Sequence, residues 1–271
     1  MTKAGEWREA VGRTWAENYR VTDRAFAGLT ERLLGRIGGC DGLSALDVGC
    51  GAGELSLALA RGNPGARVLG VDISPELVAA AQQRGEALGN LSFTEADAAQ
   101  WRPAGPAPDL LVSRHGVMFF DDPVAAFANL HSLAAPGARL VFSCFRSARL
   151  NPWASELASL LDVAAVGEST APGPFAFADE AHVRNVLGDA GWRDAAFEAV
   201  DFAYVAGAGD DPVSDALDLF HRIGPGAPVL RALQGEAREQ AQRWVRDWLE
   251  EHRSGKLVAF PAAAWIVTAT R

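Results

Sequence analysis

The sequence predicts a doubly wound α/β domain: a mostly parallel sheet with helices on both faces, an N-terminal helical cap and two helical insertions. Three observations carry this. Short apolar runs alternate with helical segments between about residues 43 and 145, the pattern expected of parallel strands joined by helical crossovers. A glycine-rich turn stands between the first apolar run and the helix after it. Ser-Pro and Asp-Pro pairs open two of the helical segments, where the first side chain caps an orphan N–H and proline needs no donor.

Taken in order, residues 7–35 read as helices, with Trp7, Val11, Trp15 and Tyr19, then Phe26, Leu29 and Leu33, recurring at helical spacing. Together with the residues before them they form the cap, 1–38. The strand-like runs are 43–48, 66–72, 91–96, 109–113 and 138–145. Ser74-Pro75 starts the helix after the second run and Asp122-Pro123 the one after the fourth, which Pro136-Gly137 stops. Asp179 caps a later helix that ends before Gly191. Residues 195–205 and 264–270 read as further strands. The alternation is broken twice. Residues 146–178 hold a short helix, about 152–163, and a Pro/Gly-rich loop. Residues 206–262 hold a long helical pattern through Leu230, Leu233, Ala237, Ala241, Trp244, Val245, Trp248 and Leu249. Insertions of this length are often lids or binding surfaces.

Composition narrows the function. The net charge of −9 over 271 residues argues against a nucleic-acid partner, which demands phosphate-neutralising Lys and Arg. Cys40, Cys50 and Cys144 are too few and too scattered for a disulfide framework or a zinc site. The polar N-terminus shows no apolar signal region, and no run approaches the ~20 apolar residues of a bilayer span. A cytoplasmic protein with no membrane partner and no metal is expected; an oligomer is compatible.

The most informative segment is LDVGCGAGELS, residues 46–56. Gly49, Gly51 and Gly53 follow a strand and precede a helix, so the backbone can turn sharply and a ligand can come close, with helix N-terminal N–H groups nearby for an anionic group. A dinucleotide fingerprint needs Gly-x-Gly-x-x-Gly/Ala. Counted from Gly49 the third position is Glu54, and from Gly51 it is Ser56. A glutamate there repels a pyrophosphate, so a nicotinamide-dependent oxidoreductase is the weaker alternative.

The run Asp-x-Gly-x-Gly-x-Gly instead resembles motif I of class I methyltransferases that use S-adenosylmethionine (SAM). The resemblance continues through VLGVDIS (68–74), FTEADAAQW (93–101) and 109–142, which is similar to the UbiE-like, or type 11, group. It covers about residues 40–145 and implies a seven-stranded sheet whose last strand is antiparallel. It also implies roles: Asp72 takes the ribose hydroxyls, Ile73 and Ala98 lie against the adenine, Asp97 accepts from the adenine amino group, and Ser113 and Arg114 meet the methionine end through backbone groups. Asp47 either organises the glycine turn or reaches the methionine amino group through water. The implied partner is a small-molecule methyl acceptor, probed by the two insertions. A SAM-binding protein without transferase activity is the other alternative, since fold does not fix chemistry.

For the transfer itself, His115 is the candidate base, placed just past the fourth strand where open parallel sheets bind ligands; the competing reading is a packing histidine. His131 and His182 read as structural, and His221 as a residue that either faces substrate or does not. Cys144 has no thiol partners for a triad, and Asp121-Asp122 fit helix capping better than a metal. Trp15 and Tyr19 either close over the cofactor or pack the cap. Trp244 and Trp248 line a pocket, form a dimer seam or belong to ordinary helix core.

Overall fold

The computed structural model describes residues 4–163 and 169–271. The chain passes through α1 (Ala4–Trp7), α2 (Ala10–Glu17), α3 (Tyr19–Ile37), β1 (Ser44–Val48), α4 (Glu54–Gly62), β2 (Arg67–Asp72), α5 (Pro75–Gly85), β3 (Leu91–Glu95), β4 (Leu110–Arg114), α6 (Pro123–Leu133) and β5 (Arg139–Phe145). It continues through α7 (Pro152–Leu160), α8 (Glu180–Asp189), β6 (Arg193–Ala208), α9 (Pro212–Arg222), α10 (Ala227–Ala232), α11 (Gly235–Glu251), β7 (Arg253–Ser254) and β8 (Leu257–Thr270). Of the 146–178 segment, 164–168 lie outside the described residues, as do 1–3 of the cap.

The sheet has the order β3-β2-β1-β4-β5-β8-β6, with the short β7 paired to β8. β1 to β5 pair in parallel. β8 is antiparallel to both β5 and β6, the reversed last strand that the resemblance implies. The strand order reverses between β1 and β4, and the crevice beyond the carboxyl ends at such a switch point is where ligands bind.

Side chains alternate between two faces with the period of the strand. Leu46, Val48, Leu111, Leu140 and Phe142 join Phe127 of α6 in one core cluster. Ala45, Leu110, Val112 and Val141 point the other way, against Leu29, Leu33 and Ile37 of α3. The caps form as their sequences dictate: Ser74, Asp122 and Asp179 accept hydrogen bonds from the N–H groups of Leu77, Ala125 and His182. Among the described residues no helix is long and apolar enough to cross a membrane.

The second half of the sheet departs from the sequence reading. β6 runs on to Ala208 and β8 starts at Leu257, so the helical insertion spans 209–256 rather than 206–262. Within it the long pattern read from Leu230 to Leu249 resolves into α10 and α11, broken by an extended Leu233, and α9 precedes it, separated by Gly224-Pro225. The strands are longer because Tyr204 pairs with Phe260 and Gly207 with Val258, in a stretch where Tyr204, Ala206, Phe260 and Val258 are all buried. Pairing of β5 with β8 stops at Phe145 and Ala264, whereas β6 stays paired with β8 from Asp201 and Ala263 to Ala208 and Leu257. The β6–β8 pair thus projects past the carboxyl end of β5 and carries α9 to α11 over the switch point.

Candidate functional site

A cavity of about 970 Å³ opens at the carboxyl ends of the parallel strands. Small-molecule sites occupy about 300–1,000 Å³, so this one has room for more than one small ligand. Asp47, Gly49, Gly51, Asp72, Ile73, Asp97, Ala98, Arg114 and His115 all line it. Gly53 and Ser113 do not.

Gly53 is the left-handed N-cap of α4 (φ 85°). A Cβ there would come within 2.9 Å of the Phe93 ring and 3.1 Å of Ala81, so this glycine serves helix–sheet packing beneath the cavity. Ser113 is fully buried. Its hydroxyl donates to the Val48 carbonyl at 2.6 Å and accepts from the Gly116 N–H at 3.2 Å. It clamps the loop after β4 onto the glycine turn rather than facing a ligand. That clamp lets Gly49 and Gly116 touch: a Cβ on Gly49 would lie 2.9 Å from the Gly116 Cα. Gly51, by contrast, has nothing within 4 Å of its Cβ position, so it faces open cavity.

The carboxylates are pre-oriented. Asp72 accepts from the Gly51 N–H at 2.8 Å and from the Ser74 N–H at 2.9 Å. These two bonds tie the glycine turn to the end of β2 and oppose the burial that raises its pKa. Asp47 is wholly buried. One carboxylate oxygen accepts from the Ser56 hydroxyl at 2.5 Å; the other, Oδ1, has no partner. Desolvation lifts its pKa to about 6. Asp97 accepts from the Ala99 N–H at 3.1 Å and lies 3.8 Å from the Arg8 guanidinium.

Glu54, at the first position of α4, pairs closely with Arg114, which also donates to Thr30 and lies 3.8 Å from Asp23. A carboxylate occupies the place where a dinucleotide site requires a small residue, and the charge is neutralised by protein.

His115 takes a left-handed backbone conformation (φ 60°), rare enough for a non-glycine residue to point to function. Its ring stacks on Phe145 at 4.1 Å and meets the edge of Phe26 at 5.4 Å. Both ring nitrogens are buried and make no full hydrogen bond. Burial, reinforced by the Arg114 charge, lowers its pKa to about 3. The imidazole is neutral at pH 7 and, in the free protein, a weak base.

The cap closes one side. Trp7, Trp15 and Tyr19 line the cavity, Trp7 packing on Trp15 and Phe119 at 5.5 and 5.0 Å. Gly12 is what allows the approach: a Cβ there would sit 2.1 Å from the Trp7 carbonyl oxygen and 2.2 Å from the Ser74 hydroxyl. Gly12→Ala is expected to lift α2 off α5 and to weaken ligand binding about tenfold, in line with the ~1–3 kcal/mol of overpacking. Calorimetric titration with S-adenosylhomocysteine, beside limited proteolysis of the N-terminal segment, checks this.

Other candidates lie elsewhere. His131 packs edge-on against Trp192, and His182 lies near Phe177; neither lines the cavity, nor does His221. Cys144 is fully buried, its thiol pushed up by desolvation. Asp122 caps α6, and among the described residues no group of acidic, His and Cys side chains could hold a metal. Trp248 is buried and donates to Glu156 at 2.9 Å, while Trp244 is exposed. The sequence reading missed Phe145, Trp153, Phe175, Tyr204, Arg222 and Arg231 as cavity residues. Phe145 ends β5; the others come from the sheet extension and the insertions, which match no motif.

Asp47 Oδ1 thus stands at the cavity without a partner, whereas each Asp72 oxygen already accepts one backbone N–H. A family model described as a methyltransferase domain matches residues 45–137, the span from β1 to the loop after α6. The trans-aconitate 2-methyltransferase of Methylobacterium radiotolerans is 30% identical over 205 residues, covering 70% of this chain and 77% of the relative. The demethylmenaquinone methyltransferase of Thermus thermophilus is 38% identical over 97 residues, 35% of this chain and 44% of that one. Among solved structures, the magnesium protoporphyrin IX methyltransferase of Synechocystis PCC 6803 with bound S-adenosylhomocysteine shares the fold, with a TM-score of 0.54 at 20% identity over 98% of this chain and 96% of that one. The glycine turn, the sheet order and these relatives agree: the chain belongs to the class I SAM-dependent methyltransferases.

Proposed function

We propose that the enzyme methylates a small, partly apolar metabolite. The observation that carries this is the continuous cavity that runs from the glycine turn to an aromatic wall of Phe26, Phe145, Trp153, Phe175 and Tyr204. The net charge of −9 supports a small molecule over a nucleic acid.

Bound at the glycine turn, SAM supplies a methyl group on a cationic sulfur, which leaves as a neutral thioether once the acceptor's lone pair takes the methyl carbon. The chain's own residues hold and align. Asp47 Oδ1 accepts from the amino group of the methionine moiety, which explains why a carboxylate oxygen is buried without a protein partner. Asp72 receives the ribose hydroxyls on the lone pairs that its two backbone bonds leave over. Ile73 and Ala98 flank the adenine and Asp97 accepts from its amino group. Gly49 and Gly51 let the backbone come close, and Arg114 contributes by neutralising Glu54. The α2–α3 cap excludes water. Alignment of two bound reactants is worth about 7–11 kcal/mol in favourable intramolecular models, so no strong base is required.

His115 then orients the acceptor as a neutral hydrogen-bonding group. Because its pKa is lowered to about 3, its ring resonances are expected to stay constant from pH 8 to pH 5 in an NMR titration of the free enzyme. A protonation step near pH 6.5 would contradict the neutral assignment.

The functional reading is tested by incubating the enzyme with SAM and a panel of small hydroxylated and carboxylated metabolites, following S-adenosylhomocysteine and the mass of the methylated product. Turnover confined to transfer RNA or to a protein would overturn it.

A further inference from the structure

The far end of the cavity is an aromatic chamber whose Phe26, Phe145, Trp153, Phe175 and Tyr204 rings all lie outside the span matched by the family model. Tyr204 stacks on Trp153 with centroids 4.8 Å apart and planes 11° apart. Trp153 meets Phe145 at 5.2 Å, and Phe145 meets Phe175 at 5.5 Å. Phe26 stands between two polar rings, 5.4 Å from His115 and 5.4 Å from Tyr204. Tyr204 reaches this place because β6 outruns β5: it pairs with Phe260, beyond Ala264, where the pairing with β5 ends.

Two polar groups interrupt this apolar surface without a full hydrogen bond to protein. The His115 nitrogens are buried and make no full hydrogen bond, with only a weak contribution from the Ser143 carbonyl. Tyr204 is only 3% exposed, burial pushes its phenol above the usual range, it lines the cavity, and its hydroxyl makes no hydrogen bond among the described residues. A tyrosine hydroxyl with no protein partner at an apolar cavity wall is free to take one from a ligand. Two such groups on either side of one phenylalanine, both lining the same cavity, are the arrangement of a subsite whose partner is a ligand.

We propose that Tyr204 and His115 form the acceptor-reading pair: they hold the oxygen of a flat, aromatic or conjugated acceptor that lies against the Phe26, Phe145 and Trp153 rings. A hydroxyl there donates to the unprotonated His115 nitrogen and accepts from the Tyr204 O–H. Tyr204 is thereby a specificity-determining residue. The apolar rings bind any flat molecule of suitable size; the oxygen contacts select among them, because an analogue lacking the hydroxyl leaves both polar groups unpaired. This rests on the reading above that a small acceptor enters the cavity.

The experiment compares 1-naphthol with naphthalene, two flat probes that differ by one hydroxyl, by calorimetric titration of the full-length enzyme saturated with S-adenosylhomocysteine. The wild type is expected to bind 1-naphthol at least tenfold more tightly than naphthalene. In Tyr204→Phe, which keeps the ring stack, the preference is expected to fall below threefold while S-adenosylhomocysteine affinity stays within twofold of wild type. In His115→Asn, which retains a donor and an acceptor on a smaller frame, a partial preference is expected. Equal binding of the two probes by the wild type, no binding of either, or a full preference kept in Tyr204→Phe would overturn the proposal. Those results leave methyl transfer to a small acceptor standing so long as S-adenosylhomocysteine still binds and some acceptor is turned over; loss of both would overturn that reading as well.

Discussion

Asp47→Asn is expected to weaken S-adenosylhomocysteine binding about ten- to a hundredfold at pH 7.5, the equivalent of a hydrogen bond to a charged group, ~1.5–3 kcal/mol. The affected atom is the buried Oδ1 that has no protein partner. Asparagine still offers an oxygen to the Ser56 hydroxyl, so the glycine turn keeps its support. The pH dependence gives a second readout. Asp47 has its pKa raised to about 6, so wild-type affinity is expected to decline as pH falls through 6, when protonation removes the charge that attracts an ammonium group. The variant lacks that decline.

Stability moves in the opposite direction. A carboxyl whose folded pKa lies above its unfolded value contributes stability that is complete below the unfolded pKa, near 3.8, and lost as pH rises through about 6. With 1.36 kcal/mol per unit, the loss in the free enzyme is on the order of 3 kcal/mol. His115 slopes the other way in the same window, because a histidine with a lowered pKa loses stability as pH falls. That term is common to both proteins. The difference in melting temperature, variant minus wild type, is therefore expected to grow from pH 4 to pH 6. A difference that is flat across this window would show that Asp47 is not titrating there.

Gly49→Ala is expected to destabilise the enzyme by about 2–5 kcal/mol. A left-handed backbone (φ 66°) penalises any Cβ by ~1–2 kcal/mol, and overpacking adds ~1–3. The obstruction is the Gly116 Cα at 2.9 Å, which is backbone held by the Ser113 clamp and has no rotamer to escape into. Gly51→Ala is the control. It shares the left-handed φ (55°) but meets nothing within 4 Å, so its stability cost is the backbone penalty alone, ~1–2 kcal/mol. Because that methyl group points into open cavity, its effect falls on cofactor binding. Urea unfolding of both variants separates the two glycines; equal losses would refute the assignment.

Much of this molecule was legible because its constraints are local. Asp47, Gly49, Gly51, Asp72 and Asp97 sit at strand ends, where the change of period from two to 3.6 marks a crossover and a short motif sets the turn. Ser74-Pro75 and Asp122-Pro123 cap helices through hydrogen bonds within three residues. The alternation of strands and helices likewise determines the parallel sheet and the crevice at its switch point. These features depend on neighbours in the chain and can be read from it.

The tertiary structure decided the rest, because the relevant partners are distant. Ser113 and Gly53 fit the motif but are turned away from the cavity by Val48 and Phe93, residues 65 and 40 positions off in the chain. His115 resists protonation well below pH 7 because it is buried among Phe145 and Phe26 and lies beside the Arg114 charge, which no spacing records. The acceptor chamber is assembled from α3, the end of β5, α7 and an extended β6, so Tyr204 gains meaning only once the β6–β8 pair has outrun its neighbour. The sequence by itself determined the cofactor half, whose turn chemistry is written in consecutive residues. Only the folded chain decided the acceptor half, since long-range packing and desolvation are properties of what surrounds a residue and not of the residue.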